Sequence, residues 1–361
     1  MSALPEAELP SVEGTPIESS RPGPNGGQAK AALPTVSIIV VSKDEPQLSQ
    51  TLAALGHELG AETGRDVSGE SEVVVVDASS GRLDGARSDH PWVGWVDFDP
   101  PQGRVTIACQ RNAGVRACRG DIVVFVDSGC VPCEGWLGHL VAPIARGEEL
   151  VVSGPATGPH NTFERLTPPG KLLYLEEAPT INLAVHRSVF DRVGSFDEAF
   201  SYGSDVDFTW RVVDAGIRIR YEALASVEHD WGNFRRRMRR ARQYGAARAR
   251  LYRKHPERVL RALYEDPVPF VYPLWLLGLP IALRRRAYLL LLALPLWRAR
   301  KHASPAEVVL AHLFQGVGSL SEVTGWVLGW GVARAGFFRV FRRAVTGRVG
   351  SAGSWRGSGL G

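Results

Sequence analysis

Two carboxylates in the segment 203–211 are the residues best placed to do chemistry. Asp205 and Asp207 lie two positions apart in a stretch that is otherwise largely apolar. Residues two apart do not share one face of a helix, so only one of the two can point into a given pocket. A carboxylate at the start of a partly buried helix can accept a proton from a substrate hydroxyl, which makes Asp205 a candidate general base. A structural role competes with this one, since Ser204 or Asp205 could cap the free N–H groups of the following helix.

Two further carboxylates end runs of β-branched residues. Asp77 closes the run 72–77, and Asp127 directly follows the run 121–126. Such runs are typical of strands buried on both faces of a parallel sheet. Because ligands bind beyond the carboxyl ends of the strands in these sheets, we expect both side chains to line one crevice.

The elements that would position these carboxylates alternate between strand and helix. The pattern predicts strands over 36–41, 72–77, 92–98 and 121–126, with helices over 46–57 and 106–119 between them. The second half is less regular, and it predicts strands over 182–185, 218–221 and 225–228, with helices over 188–193 and 205–215. This alternation favours an α/β fold with a mostly parallel, doubly wound sheet.

Composition limits the class of protein. The chain has 361 residues, 44% of them hydrophobic, and a formal net charge of +4, with much of the basic excess after residue 230. Residues 1–33 are rich in Pro, Gly, Ala, Ser and Glu and lack the apolar core of a secretory signal, so we expect a disordered tail and a reducing, cytosolic environment. The length suits one α/β domain with an appended module.

Several ordered motifs together resemble glycosyltransferase family 2, whose enzymes have the GT-A nucleotide-diphospho-sugar transferase fold. The similarity runs from about Val36 to Pro256. The segments that carry it are 36–41, 75–80, 111–114, 125–132, 182–184, 194–197, 203–205 and 227–229. Within the family, the run from Gly203 to Pro256 is particularly similar to actinobacterial enzymes of the mycofactocin-glycosylating type.

The resemblance implies an inverting transfer from a nucleotide-sugar donor to an acceptor hydroxyl, with Asp205 as the base. The acceptor would be a cell-envelope glycan, a glycolipid or a modified peptide. A divalent cation, Mg²⁺ or Mn²⁺, would be held by Asp127 and His229 and would disperse the charge of the leaving diphosphate. The residues that the resemblance assigns to the nucleotide sugar are Val36, Ser37, Asp77, Arg111, Asn112, Asp127, Arg239 and Arg242.

Two positions depart from the family pattern. Gly129 stands where a second metal-binding aspartate is expected, and Ser204 replaces a glutamate before the predicted base. These departures leave open an alternative function, a non-catalytic, membrane-associated binding protein on a degraded GT-A scaffold. A nicotinamide-dependent oxidoreductase is disfavoured, because no Gly-x-Gly-x-x-Gly motif follows either early strand.

The C-terminal third predicts a second kind of surface. We divide the chain into a tail (1–33), a GT-A domain (34–262), a hydrophobic, membrane-associated helical region (263–345) and a flexible tail (346–361). The apolar segments 267–283, 287–297 and 306–338 are short or interrupted by charges, and Trp275, Trp297, Trp326 and Trp330 would lie at headgroup depth. We expect interfacial or re-entrant helices on the cytoplasmic face of the cell membrane, with a transmembrane hairpin and core or dimer packing as the alternatives.

Two remaining patterns have less specific readings. Residues 235–254 form a basic helix with ten Lys and Arg residues, which suits phosphates, anionic lipid or plain solvation. We expect no nucleic-acid partner, because no nucleic-acid-binding module accompanies this helix. The four cysteines, Cys109, Cys118, Cys130 and Cys133, lack the two close pairs typical of a structural zinc site, and small buried side chains are expected instead.

Overall fold

A computed structural model of the protein describes residues 34–62, 71–99, 105–158, 173–265, 267–299 and 304–346. The predicted tail of residues 1–33 and nearly all of the predicted tail of 346–361 lie outside these ranges. The strands are β1 (Val36–Ser42), β2 (Glu72–Asp77), β3 (Gly94–Asp97), β4 (Ile122–Asp127), β5 (Cys130–Pro132), β6 (Val151–Ser153), β7 (Ala156–Thr157), β8 (Leu173–Leu175), β9 (Asn182–His186), β10 (Ile219–Tyr221) and β11 (Val227–His229).

The α-helices lie between these strands and, in the last third, follow one another. They are α1 (Leu48–Glu62), α2 (Asp84–Asp89), α3 (Ile107–Ala117), α4 (Trp136–Ala145), α5 (Ser188–Val193), α6 (Ser204–Asp214), α7 (Phe234–Lys254), α8 (Val259–Glu265), α9 (Val268–Leu277), α10 (Leu279–Arg284), α11 (Ala293–Ala299) and α12 (Pro305–Thr346). Short 3₁₀ helices span Pro256–Arg258 and Arg286–Leu292.

A mixed eight-stranded sheet forms the centre, in the order β3-β2-β1-β4-β9-β6-β10-β8. The strands β3, β2, β1 and β4 run parallel, as their β-branched sequences predict. The strand β9 lies antiparallel between β4 and β6, and β8 is antiparallel to β10. A second sheet of three strands, β5-β11-β7, packs beyond the end of β4.

Alternate side chains of the central strands point to opposite faces, and each face has its own helices. Ile38 and Val40 of β1 pack with Leu52 of α1 and Trp136 of α4. Ile39, between them, packs on the other face with residues of α3, α5 and α6. Each fully buried aliphatic side chain of this kind contributes about 1.5–3 kcal/mol, so these two layers hold the strand ends in place.

In the C-terminal part of the chain, α12 packs along α7, and α9 packs against both α12 and α7. A Cβ added at Gly245 of α7 would lie 1.8 Å from the carbonyl oxygen of Gln315, and one added at Gly318 would lie 1.9 Å from that of Arg242. The hydroxyl of Ser319 donates to the carbonyl of Gly245 at 3.0 Å. Small residues on both helices thus permit a very close approach of α7 and α12.

Among the described residues, no helix combines the length and the hydropathy needed to cross a bilayer.

Candidate functional site

The register of the parallel strands brings three carboxylates to one edge of the sheet. Ser42 at the end of β1 pairs with Asp77 of β2, and Asp77 pairs with Asp97 of β3. On the other side of β1, Val41 pairs with Asp127 of β4. Since all four strands end here, the prediction that Asp77 and Asp127 line one edge is confirmed.

Asp77 is buried and held by its own turn. Its two carboxylate oxygens accept hydrogen bonds from the backbone N–H of Ser79 at 2.7 Å and from the Ser79 hydroxyl at 2.9 Å. The guanidinium of Arg87 lies 4.0 Å from Asp77 and pairs with Asp97. The same guanidinium stacks over the Trp95 ring. Arg87 was not predicted from the sequence, because it belongs to a short helix, α2, without a distinctive motif.

Asp127 combines access to solvent with a buried cationic neighbour. Its side chain is 38% exposed at the end of β4, and Nη2 of Arg111 lies 3.3 Å from its Oδ1. Arg111 is itself buried, with its guanidinium over the Phe196 ring. Arg111 and Asp127, which were each assigned to the nucleotide sugar, thus form an ion pair that places one positive and one negative group side by side.

His229 reaches this edge through the small sheet. In the antiparallel pair of β11 with β5, His229 stands opposite Cys130, and its Nδ1 lies 3.8 Å from the Cys130 Sγ. Burial lowers the pKa of His229; Asp127 acts in the opposite direction, and the nearby Arg240 lowers the pKa further. The imidazole is therefore held in its neutral form at neutral pH.

The two carboxylates of α6 have different surroundings. Asp207 is fully buried, with Nζ of Lys254 at 2.6 Å, Nε2 of His255 at 2.9 Å and a guanidinium nitrogen of Arg211 at 3.1 Å. Asp205 is partly exposed on another side of the helix. The prediction that only one of them can serve a pocket is confirmed, and the buried ion cluster assigns Asp207 to structure.

The capping role proposed for Ser204 or Asp205 is only partly correct. The N-cap residue is Gly203, which has no side chain to offer. The Oδ1 of Asp205 nevertheless accepts a hydrogen bond from the N–H of Val206 at 3.0 Å. Because a carboxylate has about four lone-pair sites, this bond leaves Asp205 able to accept a proton.

One face of α7 completes the cleft. Arg236, Arg240 and Tyr244 are spaced four residues apart and so share one side of the helix. The guanidinium of Arg240 stacks over the Trp231 ring at 5.6 Å, and Nη2 of Arg236 lies 3.4 Å from Glu45 in the loop after β1. Donor contacts from this helix were predicted for Arg239 and Arg242 instead of Arg236 and Arg240.

Arg239 and Arg242, which were predicted to contact the donor, are exposed elsewhere on the same helix. Each residue turns an α-helix by about 100°, so Arg239 points well away from Arg240. Ten basic residues within one helix obscure which of its faces meets the cleft. The contacts with Trp231 and Glu45 show that Arg240 and Arg236 lie toward the segments that follow β11 and β1, and the donor contacts of Arg239 and Arg242 stay predictions.

Tyr244 is influenced by the charges of both Asp205 and Asp127. It remains 43% exposed to the cleft. Burial of its hydroxyl among the surrounding protein atoms still raises the pKa of Tyr244 to about 12, and the negative charges of Asp205 and Asp127 both add to this effect. Arg240 opposes them. The charges of Asp205 and Asp127 therefore both reach one phenol, although 78 residues of chain separate them.

Three other predicted contacts are placed elsewhere by the structure. Val36 and Ser37 lie at the start of β1, at the edge of the sheet opposite to Asp77, and the Ser37 hydroxyl bonds to Glu72 and to the N–H of Gly120. The side chain of Asn112 is buried and clips the loop at Phe196, accepting from its N–H and donating to its carbonyl. A role for these three residues in binding the nucleotide is wrong, because the first two are at the far end of their strand and the third is fully engaged.

Asp127 and His229 fit a divalent cation. A partly exposed carboxylate suits Mn²⁺ or Mg²⁺, and a metal-binding imidazole must be neutral, which burial of His229 favours. A hydrogen bond between His229 and the backbone of Gly129 also orients the ring. The four cysteines are free thiols. Among the described residues, the side chains of Asp214, His255 and Glu257 lie close enough together to hold a metal ion, and this group contains no cysteine.

Comparison with known proteins places this geometry in context. Residues 37–196 match the sequence model of Glycosyl transferase family 2. The Pre-mycofactocin glycosyltransferase of Mycobacterium tuberculosis is 35% identical over 170 residues, which cover 42% of this chain and 36% of that protein. Glycosyltransferase AglE of Haloferax volcanii is 30% identical over 121 residues, which cover 31% of this chain and 40% of that protein. The aligned part thus spans well under half the length of these curated relatives.

A solved structure shows the fold over a larger part of the chain. The mannosyltransferase PcManGT of Pyrobaculum calidifontis, in complex with GDP-Man and Mn²⁺, superposes with a TM-score of 0.57 at 17% identity, covering 81% of this chain and 88% of that one. The α/β core of this protein therefore has the GT-A-like architecture.

Proposed function

We propose, from the match of residues 37–196 to the model of Glycosyl transferase family 2, that this protein is an inverting glycosyltransferase. It moves a sugar from a nucleotide-diphosphate sugar to an acceptor hydroxyl in one displacement. The observation that supports the proposal is that Asp205 of α6 and Asp127 of β4 both lie close enough to Tyr244 for their charges to raise the pKa of its hydroxyl, which brings a candidate base and a candidate donor-binding carboxylate to the same part of the protein.

Asp205 would accept the proton of the acceptor hydroxyl while that oxygen attacks the anomeric carbon. The bond from this carbon to the diphosphate oxygen breaks at the same time, and the electron pair leaves with the nucleoside diphosphate. Attack from the side opposite to the leaving group inverts the anomeric configuration. General-base assistance of this kind accounts for roughly 10²–10⁴ in rate.

The residues around Asp127 suit the departing diphosphate. Arg236 and Arg240 supply positive charge from α7, and Arg111 supplies it from α3, where it pairs with Asp127. A divalent cation held by Asp127 and His229 would supply further charge dispersal when it is bound. Asp77 lies at the end of β2, where an acidic residue can accept hydrogen bonds from the nucleoside.

The closing test of this function is nucleotide release from a panel of UDP- and GDP-sugars, with Mn²⁺ or Mg²⁺ present. We expect release from one donor, loss of that release when the metal is removed with EDTA, and inversion of the anomeric centre in the NMR spectrum of the product. A retained configuration would overturn the single displacement. Failure to bind any nucleotide would favour the non-catalytic scaffold.

A bilayer surface is the proposed second partner, on the cytoplasmic side of the cell membrane. Large apolar side chains are exposed on α9 to α11, such as Leu274 at 68% and Leu277 at 63%. Arg284, Arg285 and Arg286 are exposed beside them. Apolar surface next to an arginine cluster is complementary to a membrane with anionic headgroups.

A protein bound to a bilayer through these helices would meet acceptors at the membrane surface. We therefore favour a glycolipid or a cell-envelope glycan as the acceptor over a modified peptide in solution. Of the four tryptophans predicted at headgroup depth, Trp297 and Trp326 are exposed, and Trp275 stacks on Tyr288. The side chain of Trp330 lies outside the described residues. Interfacial binding predicts that a carbonate wash releases most of the protein from membranes, whereas complete retention would contradict it.

A further inference from the structure

The turn between β4 and β5 has no side chain at its centre. Gly129 has φ of +92°, a left-handed conformation that favours glycine. A Cβ at this position would lie 2.9 Å from the Oε1 of Gln47 and 3.8 Å from the ring of His229. Both the backbone and Gln47 therefore oppose a larger residue at 129.

Gln47 comes from a different part of the chain, directly before α1. Its amide oxygen and the His229 ring both lie within 4 Å of the same point, next to the end of β4 where Asp127 stands. Gln47 is half-buried, so the amide is held by its surroundings but open to the cleft. An amide oxygen is a hard ligand of the type that divalent cations accept alongside carboxylates.

Hydrogen bonds tie Gln47 to this turn through its backbone. Its carbonyl accepts from the N–H of Thr51 at 3.2 Å and from the Thr51 hydroxyl at 3.4 Å. The Thr51 oxygen in turn accepts from the N–H of Gly129 at 3.0 Å, and Thr51 is fully buried. These bonds leave the Gln47 side chain free for another task, and they fix its origin relative to Asp127.

We propose that the side-chain oxygen of Gln47 is a ligand of the divalent cation, third to Asp127 and His229, and takes the place that no residue at 129 can fill. This inference rests on the proposed function, which requires the cation. It assigns metal binding to the residue that precedes α1 instead of to the turn after β4. The Gly129 departure is then a relocation of a ligand and not the loss of one.

The test measures Mn²⁺ binding by the full chain, from the EPR signal of the free ion during titration, without any sugar donor. Gln47→Leu keeps the size of the side chain and removes the oxygen, and we expect a dissociation constant about tenfold higher. Gln47→Glu adds a charged oxygen at the same place, and we expect a dissociation constant about tenfold lower. Circular dichroism melting checks that both variants fold, which is expected because the tie to Thr51 uses only the backbone.

Gln50→Glu is the matched control, since it adds the same charge at an exposed position of α1, three residues after Gln47. If Gln50→Glu lowered the Mn²⁺ dissociation constant as much as Gln47→Glu does, the added negative charge alone would explain the change. That result would overturn the assignment of Gln47 as a ligand. Wild-type affinity in both Gln47 variants, with affinity lost in Asp127→Asn, would also overturn it while leaving the cation site intact. Wild-type affinity in Asp127→Asn as well would instead refute the cation site of the proposed function.

Discussion

In the sheet region of residues 34–230, the large apolar side chains are mostly buried between strands and helices, as Ile39 and Trp136 are. In the helices after residue 258 many of them face outward, and Leu274, Leu283 and Tyr264 are among the most exposed. The apolar side chains of the first region are mostly buried by contacts within the chain, whereas many of those in the second region remain exposed. Under the proposed function, catalysis belongs to the first region and contact with a bilayer surface to the second.

The helix α7 belongs to both regions. Its Arg236–Arg240–Tyr244 side faces the cleft, and its Ala241–Gly245 side lies against α12. The ion pairs of Arg237 with Glu307 at 2.7 Å and of Arg250 with Glu322 at 2.8 Å connect α7 to α12 near both ends of the contact. The two regions have separate roles only if a substitution in the C-terminal helices leaves enzyme activity unchanged and a substitution in the sheet region leaves vesicle binding unchanged.

The largest effect should come from Asp205→Asn, which keeps the size of the side chain and removes its basicity. We expect the rate of transfer to fall by about 10³-fold, because general-base assistance is lost, with donor affinity and vesicle binding unchanged. Steady-state rates and nucleotide affinity measured on the same preparation check this. Asp191→Asn, at an exposed position of α5, is the control and should keep full activity.

Asp207→Asn, two residues further on, should act on stability instead. Lys254, His255 and Arg211 would face a neutral amide in a buried position, and breaking such a cluster costs about 3 kcal/mol. Urea unfolding followed by circular dichroism measures the change in the free energy of unfolding. If Asp205→Asn destabilised the protein as much, the division of labour between the two carboxylates would be wrong.

The contrast between these two carboxylates also shows what the sequence can predict. A spacing of two residues separates their directions on any helix, and the β-branched runs before Asp77 and Asp127 identify the strand ends. Both inferences depend on local geometry alone. For the same reason, β1, β2 and β4 were predicted to within a residue or two of their bounds.

The remaining assignments depended on distant contacts. Which arginines of α7 face the cleft is decided by Trp231 and by Glu45, the latter some 190 residues earlier in the chain. Asn112 could not be recognised as a clip for Phe196 without the fold. The insertion of β9 between β4 and β6 is equally invisible, because an antiparallel neighbour leaves no mark on either strand's own pattern.

Arg240→Ala should have an intermediate effect, on donor binding. Removal of a charge-assisted contact to the diphosphate should weaken the binding of UDP or GDP by roughly tenfold. Arg239→Ala removes the same charge from the neighbouring, exposed position, and we expect a change of less than about twofold for a screened surface charge. Isothermal titration calorimetry distinguishes them. Equal losses would mean that the net charge of α7 matters and not the face defined by Arg240.

The double variant Leu274→Glu, Leu277→Glu should have the smallest effect on enzyme activity. It tests directly whether the C-terminal helices contact the membrane. Both side chains are exposed, so we expect no change in melting temperature or in nucleotide release in detergent. Two charges on this surface should nevertheless reduce co-sedimentation with vesicles containing phosphatidylglycerol about tenfold, since the apolar contact and the attraction to anionic lipid are both weakened. Leu224→Glu changes an exposed leucine of the sheet region and should leave vesicle binding intact. If the double variant bound vesicles as well as the wild type, the C-terminal helices would not be the membrane-contact surface. The exposed apolar side chains of the second region would then not mark a separate role for it.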